Sequence, residues 1–321
     1  MKAIRLYGVG DIRVEDVPPP RPGPLEVRLK VLAAGICGSD VHNLRTGQWI
    51  SRTPSIPGHE FCAEVLECGD GVRDFIPGDR VVADSRVWCG NCPACERGDL
   101  NLCDHLGFVG EVCDGGFAEQ TVLPARSLIK VCSDLPAAIA ALSEPLGVAL
   151  RAVNQLSAGP SDTVRVTGGG TIGGLAALLL HVVKGCRVQL IEPNAERYRL
   201  ISRIVPLAEP GEFRLAVEAT GIASVLNALV NTLTPGGRIA SVGIFHGDVT
   251  LNVNRLVERE LTLVGCSVFR DEQRQAIGLL PALRTSLMTI SSPPIGLDEV
   301  PAAFDTLLAG KSPYLKTLIT P

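Results

Sequence analysis

The chain of 321 residues is 46% hydrophobic, enough for a large core divided between two domains. A net charge of −4 and an aromatic content of 4% exclude a basic nucleic-acid footprint, an anionic-membrane patch and a base-stacking platform. Eleven cysteines, an odd number, favour thiols and metal ligands over a disulfide framework. The opening "MKAIRLYGVGDIRVEDV" carries charges where an export signal needs an apolar core. The longest apolar run, "IGGLAALLLHVV", is too short to span a bilayer, so a soluble cytoplasmic protein is expected.

In chain order, residues 1–146 read as strand-rich, broken by glycine and proline as in "PPPRPGP". "AGICGSDVH" supplies Cys37, Ser39, Asp40 and His42, "PSIPGHEFCAEV" supplies His59 and Glu60, and "ALSEPLGVAL" supplies Glu144. One thiolate, one imidazole and one or two carboxylates make an incomplete metal shell with room for water or a substrate oxygen, the layout of a catalytic zinc. Each fragment alone is a weak signal: Cys-Gly-Ser is an ordinary strand-to-turn step, and Gly-His-Glu suits a loop with a capping histidine. His42 reads as a solvated turn residue or as a proton carrier. Glu144 reads as a structural carboxylate before Pro145 or as a ligand. Trp49, in "RTGQWISRTPSIP", is a pocket wall or a core residue.

"WCGNCPACERGDLNLC" places Cys89, Cys92, Cys95 and Cys103 in a C-x2-C-x2-C-x7-C pattern. Two-residue gaps let a tight turn aim successive sulfurs at one point, and the longer gap brings the chain back with a fourth. Four thiolates close a tetrahedral zinc shell and leave no position for a substrate, so the lobe at about 88–104 is a structural zinc site.

From residue 147 the pattern alternates: "DTVRVT", "IGGLAALLLHVV", "RVQLIE", "AERYRLISRI", "FRLAVEA", "SVLNALVNTL", "GRIASVG", "LTLVGC". Strand and helix in turn predict a parallel sheet with crossover helices, an α/β fold. Gly168, Gly170 and Gly173 stand in G-x-G-x-x-G spacing between the first strand and its helix, where a pyrophosphate can rest on the helix N-terminus. Glu192 ends the second strand, where a carboxylate accepts from adenosine ribose hydroxyls and disfavours a 2′-phosphate, pointing to NAD over NADP. "DEQRQAIGLLPAL" and "LDEVPAAFDTLLAG" follow as helices and "LKTLIT" as a last strand.

With "AGICGSDVH", "PGHEFCAEVLECGDGVRDFIPGDRV", the cysteine lobe, "DGGFAEQTVLPA", "SEPLGVAL", the glycine fingerprint, "EATG" and "PGGRIASVG", nearly the whole chain resembles the zinc-dependent medium-chain dehydrogenases, in the polyol (sorbitol-like) and threonine dehydrogenase branch. The resemblance implies a GroES-like, mostly-β catalytic domain over 1–146, a Rossmann doubly wound parallel sheet domain over 147–270, and a segment over 271–321 that returns to the first. It implies catalytic zinc on Cys37, His59, Glu60 and Glu144, the last directly or through water. Asp40 then orients His59, while Ser39 and His42, three residues apart, pass the released proton to water. Gly168, Gly170, Thr171, Ile172, Gly173, Glu192, Thr220 and Gly243 are the implied cofactor contacts. The implied reaction moves a hydride between NAD and a secondary alcohol of the polyol, sugar acid or cyclitol class in a homodimer or homotetramer. A threonine-type amino alcohol and a non-catalytic binding descendant are the alternatives.

One span departs from the family pattern. Between Glu192 and "VEATG" the family fits a helix, a strand and another helix, whereas "PNAERYRLISRIVPLAEPGEFRLA" has room for one helix and one short strand around "IVPL". The shortened part belongs to the sheet edge beside the adenine, so it bears on cofactor affinity. Cys62, Cys68, Cys113, Cys132, Cys186 and Cys266 read as small packing residues, His181 as a packed helix residue, and His246 as a loop residue or a cofactor contact.

Overall fold

Strands β1 (Lys2–Gly8) and β2 (Asp11–Asp16) form an antiparallel ribbon at the start of the chain. Strand β3 (Glu26–Ile36) alternates, with Val27, Leu29 and Val31 buried and Arg28 and Lys30 turned outward, the signature of a half-buried strand. Helix α1 (Gly38–Thr46) follows directly, capped at its end by Gly47 in the left-handed region. Next come β4 (Glu60–Cys68), β5 (Arg80–Ala83), β6 (Arg86–Val87), α2 (Pro93–Glu96), β7 (Gly107–Phe108), β8 (Gln120–Pro124), β9 (Leu128–Lys130) and α3 (Ala137–Ala140). Their core gathers Ile4, Val27, Leu29, Phe61, Phe117 and Leu123.

Helix α4 (Ser143–Leu156) leads to a parallel sheet. Its elements are β10 (Thr163–Thr167), α5 (Thr171–Val182), β11 (Arg187–Ile191), α6 (Ala195–Ser202), β12 (Leu215–Glu218), α7 (Ala223–Thr232), β13 (Arg238–Ser241), α8 (Val253–Glu258) and β14 (Thr262–Gly265). The order β11-β10-β12-β13-β14 aligns Val166 with Leu190 and Val217, and Ala240 with Val264. All four residues of β12 are buried, as expected of a strand covered on both faces.

The departure after β11 has a simple outcome. The short strand read from "IVPL" is reduced to a single bridge, Val188 to Leu207, with Ala208 N–H donating to Val188 O. The segment is then held by side chains: Arg165 lies 3.8 Å from the Phe213 ring centroid and donates to Gln189 Oε1 and Gly211 O, while Gln189 Nε2 donates to Glu209 O. With so short a connection, a guanidinium staple replaces the missing strand and helix.

Helices α9 (Glu272–Ile290) and α10 (Val300–Leu308) precede a last strand, β15 (Thr317–Ile319), which pairs with β3 so that Thr317 faces Ile36. That sheet runs β15-β3-β4-β5-β9, with β8 also on β3. The computed structural model describes all 321 residues and divides into two units. One comprises Met1–Glu144, Gln273–Ser312 and Lys316–Pro321; the other comprises Pro145–Glu272 and Pro313–Leu315. No helix is long and apolar enough to cross a membrane.

Candidate active site

Cys37 sits where β3 ends and α1 begins, and its backbone N–H donates to Asp40 Oδ2 at 2.9 Å. That bond turns the chain sharply and fixes the thiol at the mouth of the helix. His59 enters β4 and Glu60 opens it, opposite Gly35 of β3. A Cβ at Gly35 would lie 2.4 Å from Glu60 Oε2, so glycine there makes room for the carboxylate. The structure brings one ligand atom each from Cys37, His59 and Glu60 within 4.8 Å of one another, with His59 and Glu60 buried.

Glu144 lies outside that close set. It lies in the first turn of α4, is 5% exposed, and accepts from Ser85 Oγ at 2.7 Å. Burial first, then the neighbouring Glu60, pushes its pKa up to about 7. Burial lowers the pKa of His59, but the Cys37 sulfur, Asp40 and Glu144 outweigh burial and raise it well above the usual histidine value. Negative charge concentrated around a buried ring is what a cation binds. His59 Nδ1 is buried with no hydrogen-bond partner, and Asp40 Oδ1 stands 3.9 Å away, near enough to orient the ring. The donor set fits a zinc ion held by one sulfur, one nitrogen and carboxylate oxygen.

Ser39 and His42, expected from the sequence to form a proton relay, are placed differently from one another. His42 is buried, with Nε2 2.8 Å from Gln48 Oε1 and 3.0 Å from Thr46 Oγ1, and its ring centroid is 4.8 Å from that of Trp49. Ser39 is one turn earlier on α1 and partly exposed.

Two residues of this centre are absent from the sequence reading. Lys316 Nζ lies 2.7 and 2.6 Å from the two Glu60 oxygens and also donates to Ile36 O. Ser85 holds Glu144. A lone lysine in the apolar run "YLKTLIT" was the one available signal for the first; a serine between Asp84 and Arg86 offered none.

The four-cysteine lobe is compact. Sγ separations are 4.0 Å for Cys89–Cys95, 3.9 Å for Cys92–Cys103 and 3.5 Å for Cys103–Cys89. Sulfurs at the corners of a tetrahedron around zinc stand about 3.8 Å apart, given a Zn–S length of about 2.3 Å. All eleven cysteines are free thiols. Backbone N–H groups of Asp104 and Cys95 draw the Cys92 thiol down to about 6, and those of Cys89 and His105 lower Cys103. Burial pushes the Cys95 thiol the other way, up to about 12, so in the metal-free lobe the tendency toward thiolate lies with Cys92 and Cys103.

In the other unit, Gly168 has φ +91°, and a Cβ at Gly173 would lie 1.7 Å from Gly168 O, so only glycine permits this turn. The turn leaves the α5 N-terminus open to a pyrophosphate, which fits a dinucleotide. Glu192 accepts from Gly169 N at 2.6 Å and Asn194 N at 2.7 Å, so its carboxylate also braces the glycine turn. The Thr171 hydroxyl donates to Leu315 O, leaving its backbone N–H as the group offered to a phosphate. Thr220 N donates to Glu218 Oε1 at 2.7 Å, and Gly243 packs where a Cβ would sit 2.2 Å from Gly221 N.

Residues 23–133 match the alcohol dehydrogenase GroES-like domain model and residues 172–282 the zinc-binding dehydrogenase model. The chain is 30% identical over 345 residues to L-threonine 3-dehydrogenase of Pyrococcus furiosus, covering 97% of this chain and 95% of that protein. This chain belongs to the zinc-dependent medium-chain dehydrogenase family. Among solved members, a zinc-binding dehydrogenase from Sinorhizobium meliloti bound to NADP superposes with a TM-score of 0.90 at 31% identity, covering 100% of this chain and 99% of that one. The 2R,3R-butanediol dehydrogenase of Bacillus subtilis does so at 0.89 and 29%, covering 100% and 99%. Membership makes this medium-chain dehydrogenase an alcohol oxidoreductase with zinc and a nicotinamide dinucleotide as cofactors, on a GroES-like plus Rossmann architecture.

Proposed function

We propose that the protein oxidises the secondary alcohol of a polyol, sugar acid or cyclitol, with NAD as hydride acceptor. The observation that carries this is the Cys37–His59–Glu60 set, half-buried at Cys37 and buried at His59 and Glu60, with Glu144 beside it, in a centre whose charge calls for a cation. Bound zinc would supply Lewis acidity toward a substrate hydroxyl, and NAD a ring that takes the hydride.

This chain's residues do the rest. Cys37, His59 and Glu60 hold the metal, and Asp40 steadies the His59 ring. Lys316 offsets the Glu60 charge, so the carboxylate is a weaker donor than an unpaired one. Oxidation of the alcohol releases one hydride and one proton. The hydroxyl of Ser39 and the ring of His42 are the groups that carry the proton outward, with Gln48 and Thr46 setting the ring's orientation. In the second unit, the 168–173 turn holds the pyrophosphate while Glu192 meets the adenosine ribose, which favours NAD over NADP.

A second reading, a threonine-type amino-alcohol dehydrogenase, is favoured by the identity to the Pyrococcus enzyme. Strand β14 is paired only with β13, which supports assembly into a homodimer or homotetramer through that edge, and a cytoplasmic location suits such a cofactor-dependent enzyme. The test is an NADH titration of zinc-loaded protein by nicotinamide fluorescence, with NADPH alongside, then a panel of polyols, sugar acids, cyclitols and L-threonine. Tight NADH, weak NADPH and turnover of a polyol-class alcohol are expected. NADH binding with turnover of threonine alone moves the substrate to the amino alcohols, and failure to bind either cofactor overturns the proposal.

A further inference from the structure

Helix α1 ends at Thr46, and Gly47 takes the left-handed conformation, φ +71°, that turns the chain back on itself. The turn brings Thr46, Gln48 and Trp49 against the ring of His42, and Trp49 N–H donating to Asn43 Oδ1 at 2.9 Å fastens it. The bonds around the ring assign its hydrogen. The Thr46 hydroxyl donates to His42 O at 2.9 Å, and its oxygen accepts from Gln48 N–H at 3.3 Å. That oxygen therefore meets His42 Nε2, 3.0 Å away, with a lone pair. Gln48 Oε1, at 2.8 Å, is a second acceptor on the same nitrogen. Arg45 Nη2, which can only donate, stands 3.5 Å from Nδ1. The neutral ring thus holds its hydrogen on Nε2 and keeps its lone pair on Nδ1.

We propose that Thr46 is the exit hydroxyl of the proton relay, taking a proton from His42 Nε2 and passing one on to water. This rests on the reading of Ser39 and His42 as the groups that carry the proton outward. Thr46 acts through His42 and is a positioning residue of the relay. Nδ1 binds the incoming proton, Nε2 releases its own to Thr46 Oγ1, and the hydroxyl hydrogen leaves His42 O for a water. No electrons move, and exchange with water restores the starting tautomer between turnovers. His42 is 8% exposed whereas Thr46 is exposed, so the hydroxyl is where the ring's hydrogen bonds meet solvent. Gln48 is exposed as well, but its amide oxygen carries no hydrogen to hand on. Its part is to orient the ring.

The experiment follows proton release to a pH-indicator dye by stopped flow. It uses weakly buffered, zinc-loaded enzyme with NAD and whichever alcohol of the panel the wild type oxidises. Thr46→Val keeps the shape and loses the hydroxyl. It should slow release about 100-fold, the lower end of what a positioned proton-transfer group contributes. Thr46→Ser should release at close to the wild-type rate. Added imidazole buffer should rescue Thr46→Val by taking the proton from the ring directly, a response that a role in shape alone would not give. Nitrogen-15 NMR of the metal-free wild type supplies a readout without turnover. Neutral His42 should carry its hydrogen on Nε2, and hydrogen on Nδ1 overturns the inference. His42→Gln separates this inference from the reading beneath it. Release slowed by His42→Gln but not by Thr46→Val overturns the exit hydroxyl alone, and release unchanged in both overturns the relay itself.

Discussion

Lys316 and Glu60, 256 positions apart in the chain, form a buried ion pair in which both side chains are 1% exposed. The ammonium comes from the residue just before the last strand and the carboxylate from the first residue of β4, directly after His59. Cutting one partner of such a pair leaves the other charged in a low dielectric, a loss of about 3–5 kcal/mol. Lys316→Met should therefore melt well below wild type when metal-free. Zinc, supplying the missing positive charge, should restore more stability to the variant than it adds to wild type. Calorimetric melting with zinc and with chelator checks this; an unchanged metal-free Tm would show the pair to be incidental.

Removing one sulfur from the cysteine lobe should cost one metal without touching the other centre. Cys92→Ser is expected to lower bound zinc from two ions per chain to one, as measured by atomic absorption, with a fall in Tm. Thiol labelling gives an independent check. In zinc-loaded protein the exposed Cys132 should react first, and Cys62, buried and pushed up to about 12, should react last. Rapid labelling of Cys89 or Cys103 in the zinc-loaded protein would contradict a closed shell.

What the sequence made legible was local. The cysteine spacing, the Cys37 and His59 fragments and the 168–173 glycines each declare their chemistry within a few residues, because metal shells and phosphate turns impose fixed intervals. What stayed hidden depends on chain return. Nothing near Glu60 announces Lys316, a pairing set by sheet order, and nothing near Glu144 announces Ser85, 59 residues away in sequence, where a helix start meets the turn after β5. The "IVPL" strand failed for a related reason: its residues suit a strand, but the connection after it leaves room for one bridge at Leu207.

Glu192 does two things at once, and substitution should separate them. Its carboxylate braces Gly169 and Asn194, and its charge repels a 2′-phosphate. Glu192→Ala is expected to weaken NADH about 10- to 100-fold, the range for losing bonds to a charged acceptor, while NADPH weakens far less. Glu192→Gln, keeping one acceptor for the amides, should hold the turn and still relax the preference. Parallel weakening of both cofactors, measured by nicotinamide fluorescence, would assign Glu192 to the turn alone.

The buried carboxyl Glu144 gives the metal-free protein a definite pH slope. Its pKa of about 7 in the fold exceeds the unfolded value of 4.5, so the native state holds the proton more tightly. Between those values unfolding releases a proton, and stability falls as pH rises, by about 3 kcal/mol across the window. His59, also raised, has the same sign: the stability its protonation adds at low pH is lost as pH climbs through its folded value. Urea midpoints in chelator should therefore drop from pH 5 to pH 8, and Glu144→Gln should flatten the slope. Zinc reverses the sign, because Cys37 must lose its proton and His59 must be neutral to ligate, so the loaded protein should gain stability over the same range. Parallel slopes with and without zinc would show that these groups do not form the metal centre.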